Sequence, residues 1–269
     1  MTTAPDNQRI QLPSGLVAEY FAKGSGPPLL FLHSSFGRTW PKILDDLAEG
    51  FTVYAPMSPG GLEPIELDSF DGFSDLALFY DDLIRTLGLE TVTLVGHSFG
   101  GMVAAEVAAY FPERVSKLVL IDAMGLWIDD QPVADIHTAG PARVPGLLFV
   151  DPAGEAAREV MKPPSPEQAG EFMLRTQLAH ASALHFYWPI PDRDLARRLY
   201  RIQSPTLLMW GAQDKVTPPI YAERFAAGIS GPTTIRLIDG AAHFPHVEQP
   251  QAVVGAIEAF AGETTVQAV

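Results

Sequence analysis

The stretch that decides the fold is Thr91–Gly101, which reads TVTLVGHSFGG. Its first six residues are typical of a buried strand, and the Ala-rich run Ser98–Phe111 (SFGGMVAAEVAAYF) predicts a helix that stops before Pro112. Between them, Gly96–Gly100 (GHSFG) matches the pattern G-x-S-x-G. The serine is therefore expected on a sharp strand-to-helix turn, where small residues let neighbouring backbone pass close. The positive end of the helix would face negative charge that develops beside Ser98.

Other apolar runs recur along the chain with helical patterns between them. Strands that are apolar on both faces suit a parallel sheet, and the intervening helices supply its crossovers, so the pattern predicts an α/β fold. Leu16–Ala22 is predicted to be an antiparallel edge strand. The other predicted strands are Leu29–His33, Phe51–Ala55, Thr91–Gly96, Lys117–Asp122, Pro205–Gly211 and Thr233–Ile238, and the further predicted helices are Gly72–Leu87, Pro219–Gly228 and Glu248–Phe260.

Residues 125–204 interrupt this alternation of strands and helices. Proline recurs there, no convincing strand pattern is present, and the best helix candidates are Pro166–Tyr187 and Asp192–Arg201. We therefore predict a core made of residues 1–124 and 205–269, with residues 125–204 inserted as a helical cap.

The composition restricts the possible functions. The chain of 269 residues contains no cysteine, which excludes disulfides, thiolate catalysis and cysteine-ligated metals. A net charge of −14 disfavours binding to nucleic acid, which depends on neutralising phosphates with Lys and Arg. Residues 1–11 lack the apolar stretch of a signal peptide, and no apolar run approaches the ~20 residues that span a bilayer, so a cytoplasmic location without membrane contact is expected.

Five stretches occur in an order that is far more specific than any one of them. They are HSSFG at His33–Gly37, GHSFGG at Gly96–Gly101, YFPERVSKLVLID at Tyr110–Asp122, WGAQDKVTP at Trp210–Pro218 and GAAHFPHVEQP at Gly240–Pro250. Together they resemble the α/β-hydrolase superfamily, in the branch with a helical cap, almost from end to end. The resemblance implies a mostly parallel sheet flanked by helices, and a serine hydrolase that needs no cofactor or metal.

The resemblance also implies a catalytic triad. Ser98 would be the nucleophile, His243 the base and Asp214 the acid that orients the base, in the chain order of the superfamily. His246 is the rival base three residues later, and it is interpreted as a surface residue or one just outside the site. Asp122 is the alternative acid, because some relatives carry the acid after that strand.

Acyl transfer requires two backbone N–H groups that face the developing oxyanion. The resemblance assigns these to Phe99 and Ser35, with Ser34 as the alternative to Ser35. Relatives usually have His-Gly where this chain has His33-Ser34-Ser35. Further candidates for substrate contact are Ser34, Arg38, Trp127, Phe186 and Trp188.

A serine in this position points to hydrolysis of small to medium, fairly apolar carboxylic esters. The alternatives are a thioesterase or lactonase, and a hydrolase of the C–C bond in ring-cleavage dienoates, which uses the same triad. That last reaction needs a pocket cation, for which Arg38, Arg143, Arg175 and Arg193 are candidates. A ligand receptor without catalysis is a further alternative. The expected partner is a small-molecule substrate, and the sequence is compatible with a homo-oligomer.

Overall fold

The computed structural model describes residues 5–37, 39–61, 64–189 and 191–263, in which one eight-stranded sheet is flanked by helices. The strands are β1 (Asn7–Gln11), β2 (Val17–Lys23), β3 (Pro28–Leu32), β4 (Thr52–Pro56), β5 (Val92–His97), β6 (Val115–Ile121), β7 (Thr206–Gly211) and β8 (Thr233–Ile238). The α-helices are α1 (Ile43–Leu47), α2 (Phe73–Thr86), α3 (Phe99–Tyr110), α4 (Val144–Leu148), α5 (Glu155–Met161), α6 (Ala169–Tyr187), α7 (Ile220–Gly228), α8 (Pro245–Glu248) and α9 (Pro250–Gly262).

The strand order is β1-β2-β4-β3-β5-β6-β7-β8, and β3 to β8 run parallel. From β3 the chain moves to one side of the sheet to form β4, and it then returns to form β5 on the other side. Open α/β sheets bind their ligands at the carboxyl ends of the strands where the order reverses in this way. The loops after β3 and β5 contain Ser34-Ser35 and Ser98, so the topology places these residues at the reversal. The predicted α/β fold is confirmed.

Helices cover both faces of the sheet, as strands that are apolar throughout require. In β3, Leu29 and Phe31 belong to the core cluster that contains α1 and α9, whereas Leu30 and Leu32 belong to the cluster on the other face, which contains α2, α3 and α7. This alternation follows the two-residue period of a strand.

Several predicted element bounds need correction. The strand predicted at Leu16–Ala22 is β2, but it is not the edge of the sheet, because β1 pairs outside it. The sequence of β1, NQRIQ, is polar and mostly exposed, which gives no strand signal. The helix predicted at Glu248–Phe260 is two helices, α8 and α9, which meet at Gln249.

The 125–204 segment forms α4, α5 and α6 in its described part. The helix predicted at Pro166–Tyr187 is present as a 3₁₀ turn at Pro166–Gln168 followed directly by α6. Asp192–Arg201 is not an α-helix but contains two 3₁₀ turns, because Asp194 takes a left-handed conformation with φ of 61°. Helices α4 and α5 were not predicted, since five and seven residues are too few to establish a period.

A buried ion pair joins α3 to the end of the 125–204 segment. Arg198 donates to both carboxylate oxygens of Glu106, at 2.8 and 2.6 Å. The Glu106 side chain is fully buried, and burial raises its pKa against the opposing effect of Arg198. The carboxylate therefore depends on this one cation for its compensation.

Two histidines lie inside the core beneath the loop that follows β8. His97 Nε2 donates to the carbonyl oxygen of His243 at 2.7 Å, and the His246 ring packs 4.4 Å from that of His97. Burial, followed by the neighbouring histidines, lowers the pKa of His97 far below its ordinary value and that of His246 to about 3. Both rings are thus neutral in the folded protein, and the interpretation of His246 as a surface residue is wrong.

Within the described ranges, no helix is both long enough and apolar enough to cross a lipid bilayer.

Replacing Arg198 by methionine is expected to lower the free energy of unfolding by about 3 kcal/mol at pH 7.5, because the buried Glu106 carboxylate loses its partner. The loss should shrink towards pH 5, where the carboxyl can take up a proton. Urea unfolding of Arg198→Met tests this, with Arg197→Met as the control, because the Arg197–Asp194 pair is 80% and 63% exposed and worth at most about 1 kcal/mol. Equal losses in the two variants would contradict the argument.

Acid is expected to destabilise the fold through its buried histidines. Below about pH 6.5 the unfolded chain binds protons at His97 and His246 while the folded protein does not, which costs about 1.4 kcal/mol per histidine and pH unit. The variant His246→Phe should therefore lose about 2 kcal/mol less than the wild type between pH 7.5 and 5.0 in urea unfolding. His185→Gln, which removes an exposed histidine, is the matched control. A wild-type pH dependence in His246→Phe would disprove this account.

Candidate active site

Ser98 lies on a strained turn between β5 and α3. Its φ of 56° and ψ of −116° fall outside the helical region, so α3 begins at Phe99 rather than at Ser98 as predicted. A Cβ added to Gly100 would lie 2.1 Å from the carbonyl oxygen of Leu32, and one added to Gly96 would lie 2.3 Å from that of Gly100. Any larger side chain would force α3 away from the sheet. The small residues of the G-x-S-x-G pattern thus have the steric role that the sequence predicted.

A chain of hydrogen bonds links three side chains from separate loops. The Ser98 hydroxyl donates to His243 Nε2 at 2.8 Å, and His243 Nδ1 donates to Asp214 Oδ2 at 2.9 Å. All three residues are at least nine-tenths buried, and Ser98 is only 1% exposed. In this arrangement the imidazole can accept the serine proton while the carboxylate stabilises the resulting positive charge.

Asp214 is fixed by its own turn after β7. Its Oδ1 accepts the backbone N–H of Val216 at 2.7 Å, and its Oδ2 accepts the Thr217 hydroxyl at 2.8 Å. Burial would raise the pKa of Asp214, but the His243 imidazole and hydrogen bonds from Asp122 and Thr217 outweigh it, so the pKa lies below its ordinary value. The carboxyl is therefore ionised where it meets the imidazole.

Asp122, the alternative acid, lies beside the pair without bonding to His243. Its Oδ1 accepts the Gly211 N–H at 2.9 Å, and its carboxyl shares a hydrogen bond with the Asp214 carboxylate. Burial and then the Asp214 charge hold the pKa of Asp122 well above its ordinary value. A neutral Asp122 beside an ionised Asp214 is the arrangement expected of two neighbouring buried carboxyls.

These residues are also the group within the described ranges that could ligate a metal. The donor atoms of Asp122, Asp214 and His243 lie within 4.8 Å of one another. The contact between His243 and Asp214 is a hydrogen bond, and a metal would displace the proton on which it depends. A site without metal stays a prediction.

The loop after β3 lies against the first turn of α3, where the backbone of Leu32 and His33 approaches Gly100. His33 fixes this loop, since its Nδ1 donates to the Ser34 carbonyl at 2.7 Å and its Nε2 accepts the Ser58 N–H at 3.3 Å. Neither the Ser35 nor the Phe99 backbone N–H bonds another described residue, so both remain available as donors. The Ser34 hydroxyl accepts the Phe36 N–H at 3.3 Å and thus shapes the loop.

The candidates for substrate contact are not gathered in one place. Phe186 is buried against Phe99, with ring centroids 6.3 Å apart, whereas Trp188 is 41% exposed. Trp127 and Trp188 line a cavity of only about 60 Å³. Arg38 lies outside the described residues.

Two contacts that hold the His243 loop were not predicted. The His243 backbone N–H donates to the Leu148 carbonyl in α4 at 3.0 Å. Glu248 accepts the N–H groups of Ala242 and Val150, at 2.7 and 2.8 Å, and so ties the same loop to the 125–204 segment. The Glu248 stretch was matched as a motif, but a sequence gives no signal for a backbone partner almost 100 residues away.

Comparison with known proteins agrees with this architecture. Residues 29–256 match the alpha/beta hydrolase family. A putative esterase/lipase from Haemophilus influenzae is 28% identical over 247 residues, which cover 87% of this chain and 83% of the relative. The 2-hydroxy-6-oxo-6-phenylhexa-2,4-dienoate hydrolase of Comamonas testosteroni is 24% identical over 273 residues, which cover 88% of each chain.

Two solved structures show the same fold. The meta-cleavage product hydrolase CumD from Pseudomonas fluorescens superposes with a TM-score of 0.75 at 19% identity, over 96% of this chain and 98% of its own. Naproxen esterase from Bacillus subtilis gives a TM-score of 0.70 at 18% identity, over 96% and 91%. The family match spans most of the sequence, and the sheet and the turn at Ser98 agree with it. This chain belongs to the alpha/beta hydrolase family.

Proposed function

We propose that the protein is a serine hydrolase that cleaves carboxylic esters of small to medium apolar acids through an acyl-enzyme. The observation that carries this proposal is the buried chain of hydrogen bonds from Ser98 through His243 to Asp214, with contacts of 2.8 and 2.9 Å. The esterase/lipase relative supports the ester as the bond attacked.

In this mechanism Ser98 attacks the ester carbonyl while His243 takes its proton. Asp214 holds the imidazole in the tautomer with hydrogen on Nδ1 and stabilises its charged form. The Ser35 and Phe99 backbone N–H groups bind the oxyanion, with the positive end of α3 behind Phe99. His243 then protonates the leaving alcohol, and a water activated by the same imidazole releases the acid.

The 125–204 segment would act as a cap that supplies the acyl site. Its helices and Phe36 line a cavity of about 490 Å³, a volume suited to a small apolar ligand. Its apolar lining residues include Ile136, Val144, Phe172 and Leu184.

Hydrolysis of a C–C bond in a dienoate is the second candidate, because the Comamonas testosteroni relative is named for that activity. Its substrate carries a carboxylate, which needs a compensating charge. No Lys or Arg is among the described residues that line the 490 Å³ cavity. Of the arginines named above, Arg175 pairs with Glu171 and Arg193 donates to backbone carbonyls. The lining thus favours the ester.

A series of p-nitrophenyl esters from acetate to octanoate should be hydrolysed, with an optimum at the chain length that fills the cavity. Ser98→Ala should lower kcat by about a millionfold, because loss of a triad nucleophile removes the covalent step. Release of p-nitrophenol measures both. If the folded protein hydrolyses none of these esters but cleaves a 2-hydroxy-6-oxodienoate, the C–C hydrolase replaces the esterase.

The two neighbouring carboxyls should differ sharply in their effect on catalysis. Asp214→Asn is expected to lower kcat by about 10⁴, because the amide stabilises the wrong tautomer of His243. Asp122→Asn should cost far less, since Asp122 makes no bond to the imidazole and an amide keeps the neutral state. Steady-state kinetics with the best ester of the series decides this, and an equal loss in both variants would reject the assignment of Asp214.

A further inference from the structure

Four polar side chains form a cluster beside the proposed oxyanion loop. This polar cluster consists of Ser35 from that loop together with His137, His180 and Tyr187 from the 125–204 segment. His137 Nε2 hydrogen-bonds the Tyr187 hydroxyl, and the His137 and His180 rings meet edge to face at 5.2 Å. The Tyr187 ring lies 5.6 Å from that of Phe99, so the cluster directly adjoins the residue that follows Ser98.

Two atoms of the polar cluster are buried without a hydrogen bond. Among the described residues, Ser35 Oγ and His180 Nε2 have no partner. The Ser35 hydroxyl is near enough to Tyr187 to favour its ionised form, yet the pair lacks standard hydrogen-bond geometry. More than nine in ten buried polar groups in proteins are satisfied, so unpaired atoms at the two ends of this cluster, which adjoins the Ser98 turn, indicate a site for a ligand atom.

The polar cluster also borders the proposed acyl cavity. His137 and His180 line the cavity of about 490 Å³, and so does Phe36, the residue after Ser35. Continuous contacts therefore run from Phe99 through Tyr187 and His137 to the cavity. An acyl chain that extends from Ser98 into the cavity would pass the cluster.

The charge state of the polar cluster limits what it can recognise. Burial raises the pKa of Tyr187 above its ordinary value, so the hydroxyl keeps its proton. Burial lowers the pKa of His137, although Asp135 acts in the opposite direction, and it lowers that of His180 to about 4. All members are neutral near pH 7. They can exchange hydrogen bonds with a hydroxyl or keto oxygen, but they offer no cation for a carboxylate.

We infer that the polar cluster selects esters whose acyl chain carries a hydroxyl or keto oxygen within a few atoms of the scissile carbonyl. Tyr187 is the specificity-determining residue: in the tautomer with hydrogen on His137 Nε2, the Tyr187 oxygen accepts a hydrogen bond from that ring, and its own hydroxyl proton is left to donate to the substrate oxygen. Ser35 Oγ and His180 Nε2 complete the site. This inference rests on the proposed ester hydrolysis and names its preferred substrates.

The test compares p-nitrophenyl butyrate with the p-nitrophenyl esters of 2- and 3-hydroxybutyrate, each enantiomer separately. The ratio of kcat/KM for a hydroxy ester to that for butyrate should fall by about 10- to 100-fold in Tyr187→Phe for at least one of them, as expected when a buried hydrogen bond to a substrate hydroxyl is lost. The intrinsic reactivity of the esters cancels, because both enzymes hydrolyse the same set. Tyr200→Phe, which changes an exposed tyrosine, should keep the wild-type ratio. Unchanged ratios in Tyr187→Phe for every ester would overturn the inference.

A binding measurement separates failure of this inference from failure of the proposed function. Ser98→Ala should bind the intact hydroxy ester more tightly than the butyrate ester in isothermal titration calorimetry, and addition of Tyr187→Phe should abolish the difference. If the wild type hydrolyses no ester, the proposed function is wrong, and a binding preference that requires the Tyr187 hydroxyl would still support the polar cluster. Equal affinity for all the esters would reject it.

Discussion

The rest of the site depends on the close approach of α3 to the carboxyl end of β3. Gly100 permits this approach, because the carbonyl oxygen of Leu32 occupies the space that a side chain would need. The same approach forces the chain at Ser98 into a left-handed turn and brings the Ser35 loop against the first turn of the helix. One steric constraint thus sets the positions of Ser98, the start of α3 and the Ser34-Ser35 loop together, at the point where the strand order reverses.

The loop that carries His243, the proposed base, is held from two sides. His97, on β5 next to Ser98, holds the His243 carbonyl from within the sheet, while Leu148 in α4 accepts the His243 backbone N–H from the 125–204 segment. Glu248 adds two hydrogen bonds that join the loop to the segment. The position of the His243 imidazole therefore depends on the packing of both parts, and a change in the 125–204 segment would reach it through the backbone.

The sequence predicted the local features well because their causes are local. The G-x-S-x-G pattern between an apolar strand and an Ala-rich helix defines the turn at Ser98, and the order of motifs places Asp214 and His243 after the later strands. The sequence-based predictions were wrong or incomplete where contacts between residues far apart in the chain determine the structure. The polar β1 is a strand only because β2 lies beside it, and His246 is buried because His97 packs on it. The partners of His137 and Tyr187, 50 residues apart, follow from the folding of the 125–204 segment, which has no periodic signal.

The burial of Ser98 limits how fast other molecules can reach its hydroxyl. Ser98 is only 1% exposed, so a reagent reaches its hydroxyl after the side chains around it part. Consider a small electrophile that reacts with the accessible serine faster than these side chains close again. It would modify Ser98 at the rate of opening, independent of the concentration of the electrophile. The rate of that modification would measure how often the surroundings of Ser98 open, and the same opening rate would set an upper limit on kcat for the proposed hydrolase.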